Sequence, residues 1–369
     1  MARIDTFLKL VVEQRASDLH IMAGSPPIIR VNGDLFRIKF RSISTLDCEM
    51  LLDELVPRDM KKAYTHDNRE LDFAYDLQGL GRFRVNIYQH KDGLAAAFRL
   101  IPKEIKTLEE LNLPDSIRRF AFFEKGLILV TGPTGSGKST TLAAIIDIIN
   151  RERSMHILTI EDPIEFVHER KRALISQRQI GRHTKDYASA MRAAGRSSAD
   201  VILIGEMRDQ ETISMALTCS ETGSLVFGTL HTTSAAKAVT RIVDSFPADR
   251  QSQVRGMLSM SLRGVISQQL IKTIGGRGRT PVVEILIGTP ALSNIIREGK
   301  IHMVTSYIET SDPKRTGMQS IDYSLMNLLE QNRITSQTAI AMARDRTRFE
   351  QYEERMLLKT LEEEKPRLD

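Results

Sequence analysis

The sequence predicts an α/β protein built around a parallel β-sheet covered by helices, with a smaller α/β domain before it and a helical region after it. The main observation is that four apolar runs alternate with helical stretches, at residues 127–130, 156–160, 201–204 and 225–230. Strands this continuously apolar are buried on both faces, as in parallel sheets between layers of helices. Two further observations are the mixture of helix and strand patterns in the first hundred residues and the charged, helical character from about residue 290.

The segment before this sheet is predicted to be a small α/β domain. Residues 1–20 have an amphipathic pattern with charged residues throughout, which indicates a helix and not a signal peptide. Residues 71–75 and 83–87 are predicted strands, and the chain folds back through Asp92-Gly93, a pair typical of hairpin turns. Alternation places one set of side chains in the core, namely Phe83, Val85 and Ile87. The opposite face then carries Arg82, Arg84 and Asn86.

These patterns predict four segments: an N-terminal domain at 1–100, a polar linker at 101–115, the sheet domain at 116–290, and a helical C-terminal region and tail at 291–369. The last stretch, 346–369, alternates acidic and basic residues and is predicted to be a solvated helix or a frayed end. Internal repeats and low-complexity tracts are absent from the sequence.

Composition excludes several classes of protein. Across 369 residues, 52 basic side chains exceed 47 acidic ones and give a net charge of +5, which favours nucleic acid or anionic lipid only weakly. Uninterrupted apolar runs of the ~18 to 20 residues that a membrane span needs are not found. Cys48 and Cys219 are far apart and cannot supply a disulfide framework or a cysteine zinc site. A reducing cytoplasm is therefore the predicted compartment.

The strongest motif follows the first apolar strand and fits the pattern G-x-x-x-x-G-K-[ST] at the start of a helix predicted over 140–149. Glycines let backbone N–H groups turn inward around a β-phosphate, and the helix N-terminus adds partial positive charge. Lys138 is expected to reach the β- and γ-phosphate oxygens, and Ser139 to supply a hydroxyl to Mg²⁺. The predicted ATP-binding residues are Gly132, Pro133, Thr134, Gly135, Ser136, Gly137, Lys138, Ser139 and Thr140.

Polar residues follow the other three strands, where ligands bind in open parallel sheets. ATP hydrolysis needs a carboxylate on the Mg²⁺ side, a group that activates water, and a donor that senses the γ-phosphate. Glu206 suits the first role through a metal-bound water, Glu165 the second, and His231 the third. Spacing alone leaves Glu161 open as an alternative to Glu165. Asp162 is interpreted as a possible structural cap before Pro163.

Together these residues resemble the secretion and pilus ATPase superfamily, and within it the retraction branch called PilT and PilU. The resemblance covers residues up to about 345. The matching motifs are Gly132 to Thr140 (Walker A), Ile160 to Glu165 (the Asp box), Gly205 to Asp209 (the atypical Walker B) and Gly228 to Thr233 (the His box). Further landmarks are Ala16 to His20, Arg82 to Asn86, Ser267 to Leu270 and Leu292 to Glu298.

The resemblance implies a PAS-like N-terminal domain, a RecA-like P-loop ATPase core and a hexameric ring. It implies that Arg84 and Arg99 approach the nucleotide of a neighbouring subunit and that Glu165 is the catalytic glutamate. The implied function is retraction of type IV pili at the cytoplasmic face of the inner membrane, beside a platform protein and with a second retraction or extension ATPase as an additional partner. Extension ATPases carry a four-cysteine zinc site, which two isolated cysteines cannot form.

Two departures from the family pattern bear on turnover. An acidic pair and proline are replaced by Ser197, Ser198 and Ala199, which is interpreted as a loss of negative charge close to the site, and a histidine is replaced by Ser224. They leave open a second function, a weakly hydrolysing or nucleotide-sensing subunit of a mixed ring. A DNA translocase is a third alternative, but with aromatic residues at 5% and no tryptophan the sequence offers no stacking channel, so nucleic acid is not an expected partner.

Overall fold

The computed structural model describes residues 3–31, 33–58, 60–61, 70–77, 79–101, 104–276 and 278–363, with side chains described up to Arg355. Within these ranges the chain forms two β-sheets and three clusters of buried apolar side chains. Residues 102 and 103 of the predicted linker and the last six residues of the predicted tail lie outside the described residues.

The first sheet has six strands in the order β3-β2-β1-β6-β5-β4, and every neighbouring pair is antiparallel. The elements are α1 (Asp5–Glu13), β1 (Asp18–Met22), β2 (Ile28–Val31), β3 (Asp34–Arg37), α2 (Thr45–Asp53), β4 (Leu71–Leu77), β5 (Gly81–His90) and β6 (Gly93–Ile101). The hairpin at Asp92-Gly93 is confirmed, since it joins β5 to β6. Phe83, Val85 and Ile87 are fully buried, as the alternation predicts.

The predicted N-terminal helix is too long. α1 ends at Glu13, Arg15 adopts a left-handed backbone conformation with φ of 51°, and β1 begins at Asp18. The reason is tertiary, because β1 pairs with β2 on one side and with β6 on the other and so satisfies its backbone polar groups in the sheet. An amphipathic pattern read from local sequence cannot register that pairing.

The second sheet has seven strands in the order β13-β12-β7-β11-β10-β8-β9. Its elements are β7 (Gly126–Thr131), α3 (Lys138–Glu152), β8 (His156–Glu161), β9 (Leu174–Gln179), α4 (Tyr187–Ala194), β10 (Val201–Ile204), α5 (Gln210–Thr222), β11 (Leu225–Leu230), α6 (Ala235–Asp244), α7 (Ala248–Ser261), β12 (Leu262–Lys272) and β13 (Arg279–Ile287). A 3-10 helix, Asp115–Phe122, precedes β7. All neighbours are parallel except β12 and β13, which are antiparallel.

The predicted α/β architecture is confirmed, and the four predicted apolar strands are β7, β8, β10 and β11. The sequence prediction missed β9, β12 and β13, and it missed the antiparallel edge. β9 and β12 carry several polar residues, including Ser267 and Gln268 in β12, so they lack the continuous apolar run of the central strands. Parallel order places the carboxyl ends of β7, β8, β10 and β11 at one edge of the sheet, and their amino ends at the other.

Helices follow the second sheet to the end of the described chain. They are α8 (Pro290–Arg297), α9 (Met303–Glu309), α10 (Pro313–Thr316), α11 (Ile321–Glu330), α12 (Ser336–Met342) and α13 (Arg346–Glu363). α13 begins where the solvated tail is predicted, but Phe349 is fully buried in a cluster with Leu325 and Ile334, so this end of the tail is anchored. Among the helices that can be described, none combines the length and apolar character needed to cross a bilayer.

Candidate functional site

The glycine-rich loop connects the carboxyl end of β7 to α3. Gly132, Gly135 and Gly137 all have positive φ, at 148°, 78° and 89°, a region that side chains with a Cβ rarely adopt. Gly137 is the N-cap of α3. Because glycine has no side chain that could accept a hydrogen bond, this residue does not cap the first N–H groups of the helix, which begin at the loop. The local backbone is therefore that of an anion cradle at a helix N-terminus.

Lys138, the first residue of α3, extends across this loop. Its Nζ donates to the carbonyl oxygens of Gly132 at 2.8 Å and Pro133 at 3.2 Å. Burial lowers the pKa of the ammonium group, and the negative charges of Glu206 and Glu165 oppose that effect. The charges of both carboxylates that the sequence assigns to catalysis therefore act on Lys138, which indicates that the three groups lie close together.

The Asp box follows β8 and supplies three carboxylates in different surroundings. Glu161 is held inside the site, where Thr159 Oγ1 donates to its Oε1 at 2.6 Å and Gln177 Nε2 at 3.3 Å. Burial raises the pKa of Glu161 above its ordinary value. Glu165 is only partly buried and lies 3.8 Å from Arg84 Nη1. Geometry therefore favours Glu165 over Glu161 as the accessible carboxylate, because Glu161 already accepts hydrogen bonds from neighbouring side chains.

The interpretation of Asp162 as a structural cap before Pro163 is wrong, because no helix follows it. Its side chain is exposed at the site. Burial of the region raises the pKa of Asp162, while the charges of Arg84 and Arg208 oppose this. Asp162 therefore belongs to the same charged group as the N-terminal arginine and the Walker B segment.

Glu206 follows β10 and makes two charged contacts. Its Oε2 lies 2.6 Å from Arg208 Nη2, and its Oε1 lies 3.1 Å from His231 Nε2. The hydrogen bond from Arg208 holds the pKa of Glu206 below its ordinary value despite desolvation, and the charge of His231 adds to this. The ends of β10 and β11 are themselves tied together, since Met207 N donates to the Thr229 carbonyl at 3.1 Å.

Gly228 explains how the His box approaches Walker B so closely. A Cβ at this position would lie 2.7 Å from the Met207 sulfur, so a larger residue would displace the Met207 side chain that packs against β11 here. The close approach aligns His231 with Glu206. Glu165, Glu206 and His231 follow three different strands in the sequence and lie at one edge of the sheet.

The two N-terminal arginines differ in their surroundings. They are cross-strand partners on β5 and β6, so both project from the same face of the first sheet. Arg84 reaches Glu165 of its own chain, whereas Arg99 Nε donates to Asp18 Oδ1 at 2.9 Å. The structure therefore brings Arg84, but not Arg99, to the carboxylates of the site within one chain.

Arg208 and Tyr187 are two residues whose roles sequence reasoning missed. Arg208 lies in the quoted Walker B motif, but only the structure pairs it with Glu206. Tyr187 begins α4, and its hydroxyl lies 3.2 Å from where a Cβ on Gly205 would be. Burial, with the negative charges of Asp162 and Glu206, raises the pKa of Tyr187 and keeps it a neutral hydroxyl. In the sequence, the glycine at position 205 is the signal that could have indicated the close approach of another side chain.

The comparisons with known proteins agree with this geometry. A family described as type II/IV secretion system protein matches residues 2–333. The chain belongs to this family. The type IV pilus retraction ATPase PilT of Pseudomonas aeruginosa is 48% identical over 336 residues, covering 91% of this chain and 96% of that protein. A twitching motility protein of Neisseria gonorrhoeae is 50% identical over 318 residues, covering 86% of this chain and 84% of that protein.

Among solved structures, a crystal structure of the pilus retraction motor PilT with bound ADP has a TM-score of 0.86 and 42% identity, and the match covers 95% of this chain and 100% of that one. The chain is accordingly an ATPase of the secretion family, and its resemblance to PilT extends through both sheets. Its loop also fits a nucleotide on structural grounds, since the buried Ser136 Oγ has no hydrogen-bond partner among the described residues.

The residues that depart from the family pattern lie away from the phosphate-binding loop, although the lost charge is interpreted from the sequence as close to the site. Ser197, Ser198 and Ala199 precede β10 and Ser224 precedes β11, so all four are at the amino edge of the parallel strands. Ser224 Oγ donates to the Ala199 carbonyl at 2.9 Å, and Ser197 Oγ donates to the Ala194 carbonyl at 2.9 Å. The interpretation that negative charge is lost close to the site is therefore wrong, because the phosphate-binding loop is at the opposite edge.

Proposed function

We propose that this ATPase powers retraction of type IV pili, working as a homo-hexameric motor at the cytoplasmic face of the inner membrane. The observation that supports the proposal is that Lys138, Glu165, Glu206 and His231 lie together at the carboxyl edge of the sheet, in a chain that matches PilT over 91% of its length. No observation favours the weakly hydrolysing scaffold, because the departures that suggested it lie at the far edge.

In this proposal the residues from Gly132 to Thr140 bind the phosphates of ATP through backbone N–H groups, and Lys138 provides the positive charge nearest to the transferred phosphoryl group. Mg²⁺ would be held by the Ser139 hydroxyl and, through water, by Glu206. These are oxygen ligands of the kind that Mg²⁺ prefers, and Arg208 and His231 keep Glu206 ionised for that task. When bound, Mg²⁺ neutralises charge on the β- and γ-phosphates.

Glu165 accepts the proton of the attacking water. It is accessible, half-buried, and faces the same space as Lys138 and Glu206. His231 donates toward the γ-phosphate while its Nε2 contact with Glu206 couples it to the Walker B carboxylate. Such a contact gives the site a way to report whether a γ-phosphate is present, because a change at His231 is felt at Glu206.

The motor proposal assigns the two sheets to separate units: a PAS-like domain at 1–100, a linker at 101–115, a RecA-like core at 116–290 and a helical region beyond. Buried apolar side chains support the separation of the first domain, with one cluster drawn from residues 4–98 and another from residues 108–318. The second cluster includes side chains of the linker and of α8 and α9, so these segments pack with the core. In a ring, Arg84 and Arg99 would face the nucleotide of a neighbouring subunit. Movement of the arginine-bearing sheet against the core would then transmit hydrolysis to an inner-membrane platform protein, with a second pilus ATPase as an additional partner.

Deletion of the gene in its own host tests the proposal. We expect pili to remain on the cell surface, in equal or greater number, while twitching motility is lost, because a retraction motor removes pilin subunits. Wild-type chain should restore motility, and Lys138→Ala should not. Loss of surface pili on deletion would contradict retraction and indicate extension or secretion instead.

A further inference from the structure

Gln268 is a buried polar residue beside the phosphate-binding loop, with no function assigned to it so far. It lies on β12, which pairs with β7 on one side and β13 on the other, and its side chain is 3% exposed. A buried primary amide is costly unless its donors and acceptor are satisfied. Gln268 meets that requirement by contacts with the loop and with the helix that follows it.

The amide spans two points of the nucleotide site. Nε2 donates to the Ser136 carbonyl at 2.7 Å, and Oε1 accepts from Thr141 Oγ1 at 2.7 Å. A backbone carbonyl can only accept, so the Ser136 contact fixes which end of the amide is nitrogen and requires the Thr141 hydroxyl to donate. The side chain therefore joins the loop to the first turn of α3 in one defined orientation.

Two loop glycines pack directly against the same residue. A Cβ on Gly132 would lie 2.1 Å from the Gln268 carbonyl oxygen, and a Cβ on Gly137 would lie 2.8 Å from Gln268 Nε2. The missing side chain at Gly132 therefore leaves room for the backbone of β12, and the one at Gly137 leaves room for the Gln268 amide. By contrast, a Cβ on Gly135 would meet nothing within 4 Å.

Peptide geometry links the Ser136 contact to phosphate binding. In a planar trans peptide the carbonyl and the next N–H point in opposite directions. Holding the Ser136 carbonyl toward β12 therefore directs the Gly137 N–H away from β12, toward the interior of the loop. N–H groups of such loops bind the β-phosphate of nucleotides.

We propose that Gln268 is a positioning residue that holds the Ser136 carbonyl and Thr141 so that the loop is preorganised for the β-phosphate of a nucleoside di- or triphosphate. It does not touch the nucleotide itself. Its two hydrogen bonds stabilise the loop in the conformation that binds, and losing them lets the Ser136–Gly137 peptide rotate. The inference rests on the nucleotide site of the proposed function and not on pilus retraction.

The test is ADP binding by the full chain, measured by titration calorimetry, for Gln268→Met and the matched control Gln269→Met on the next residue of β12. Methionine keeps the length of the side chain without its hydrogen bonds. We expect ADP affinity to fall about tenfold for Gln268→Met, consistent with two lost hydrogen bonds, and less than about twofold for Gln269→Met. Binding is measured well below the melting temperature of both variants, because the unpaired Ser136 carbonyl and Thr141 hydroxyl lower the stability of Gln268→Met.

Thr141→Val examines the same connection without changing Gln268. We expect a smaller loss of ADP affinity, and the double variant should bind no more weakly than Gln268→Met alone, because both changes break one bridge. Unchanged ADP affinity in Gln268→Met, or in Thr141→Val if Gln268→Met does not fold, would overturn the proposal, as would losses that simply add. Failure of the wild-type chain to bind ADP would instead overturn the nucleotide site.

Discussion

The two edges of the seven-stranded sheet differ in chemistry although they are built from the same strands. The carboxyl edge gathers Lys138, Glu165, Glu206 and His231, and the charges around them act on the pKa values of Lys138 and Glu206. At the amino edge, Ser197, Ser224 and Asp200 make short hydrogen bonds to nearby backbone. Strands of four to six residues separate the edges, which at ~3.3 Å per residue is about 13 to 20 Å.

A residue that departs from a family motif should therefore be judged by the edge of the sheet on which it lies, and not by its distance in sequence from the site residues. Ser224 is seven residues before His231 and belongs to the same strand segment, yet it is at the other end of β11. Residues near one another in sequence are separated by the length of a strand, and residues far apart, such as Lys138 and Glu206, share a site.

The largest expected effect is at the carboxyl edge. Lys138→Ala should lower steady-state ATPase activity by about 100- to 1,000-fold, because it removes the positive charge nearest the transferred phosphoryl group. Lys125→Ala is the matched control, since Lys125 is exposed directly before the amino end of β7. Phosphate release should be measured for both variants, and an equal loss of ATPase activity would contradict the difference between the two edges.

A second effect concerns the contact between the first sheet and the carboxyl edge. Arg84→Ala should lower the turnover number by about 10- to 100-fold, because it removes a cation that lies 3.8 Å from Glu165 and that would stabilise the developing charge of the reaction. Arg37→Ala, on the exposed edge strand β3, should change it by less than about twofold. Equal activity of the two variants would show that Arg84 has no part in hydrolysis.

The pH dependence of ATPase activity tests whether Glu206 acts as an ionised carboxylate. Arg208 holds the pKa of Glu206 down, so the ionised carboxylate persists to lower pH and is lost as pH falls through that value. Arg208→Gln should let the pKa rise, moving the acid limb of the kcat/KM profile to higher pH. Arg192→Gln, which removes a surface arginine paired with Glu211, should leave the limb in place. An acid limb that does not move in Arg208→Gln would argue against Glu206 as the ionised group.

The smallest effects are expected at the amino edge. Ser197→Glu with Ser198→Asp, and separately Ser224→His, would restore residues typical of the family. We expect ATPase activity to change by less than about twofold, since about 13 to 20 Å of sheet separates them from the site. An increase of tenfold or more, measured by phosphate release, would contradict the separation of the two edges and revive the weakly hydrolysing scaffold.

Much of the fold and site could be predicted because the signals are local. The glycine-rich loop and the apolar strands that precede each polar cluster are continuous in sequence, and parallel strands bring their carboxyl ends together. The missed features depend on tertiary partners. β12 carries Gln268 in a polar stretch, Arg99 is held by Asp18 on a neighbouring strand that is distant in sequence, and α1 stops early because β1 joins the sheet. Periodic patterns in the sequence do not predict contacts of this kind.

The most direct test of the central claim is to compare phosphate release and ADP binding in Glu165→Gln and in Glu169→Gln, an exposed glutamate four residues later. If the carboxyl edge performs hydrolysis with Glu165 as the base, Glu165→Gln should lower the turnover number by at least about 100-fold while ADP affinity stays within about twofold, and Glu169→Gln should behave as wild type. Turnover that is unchanged in Glu165→Gln, with ADP still bound, would contradict the account.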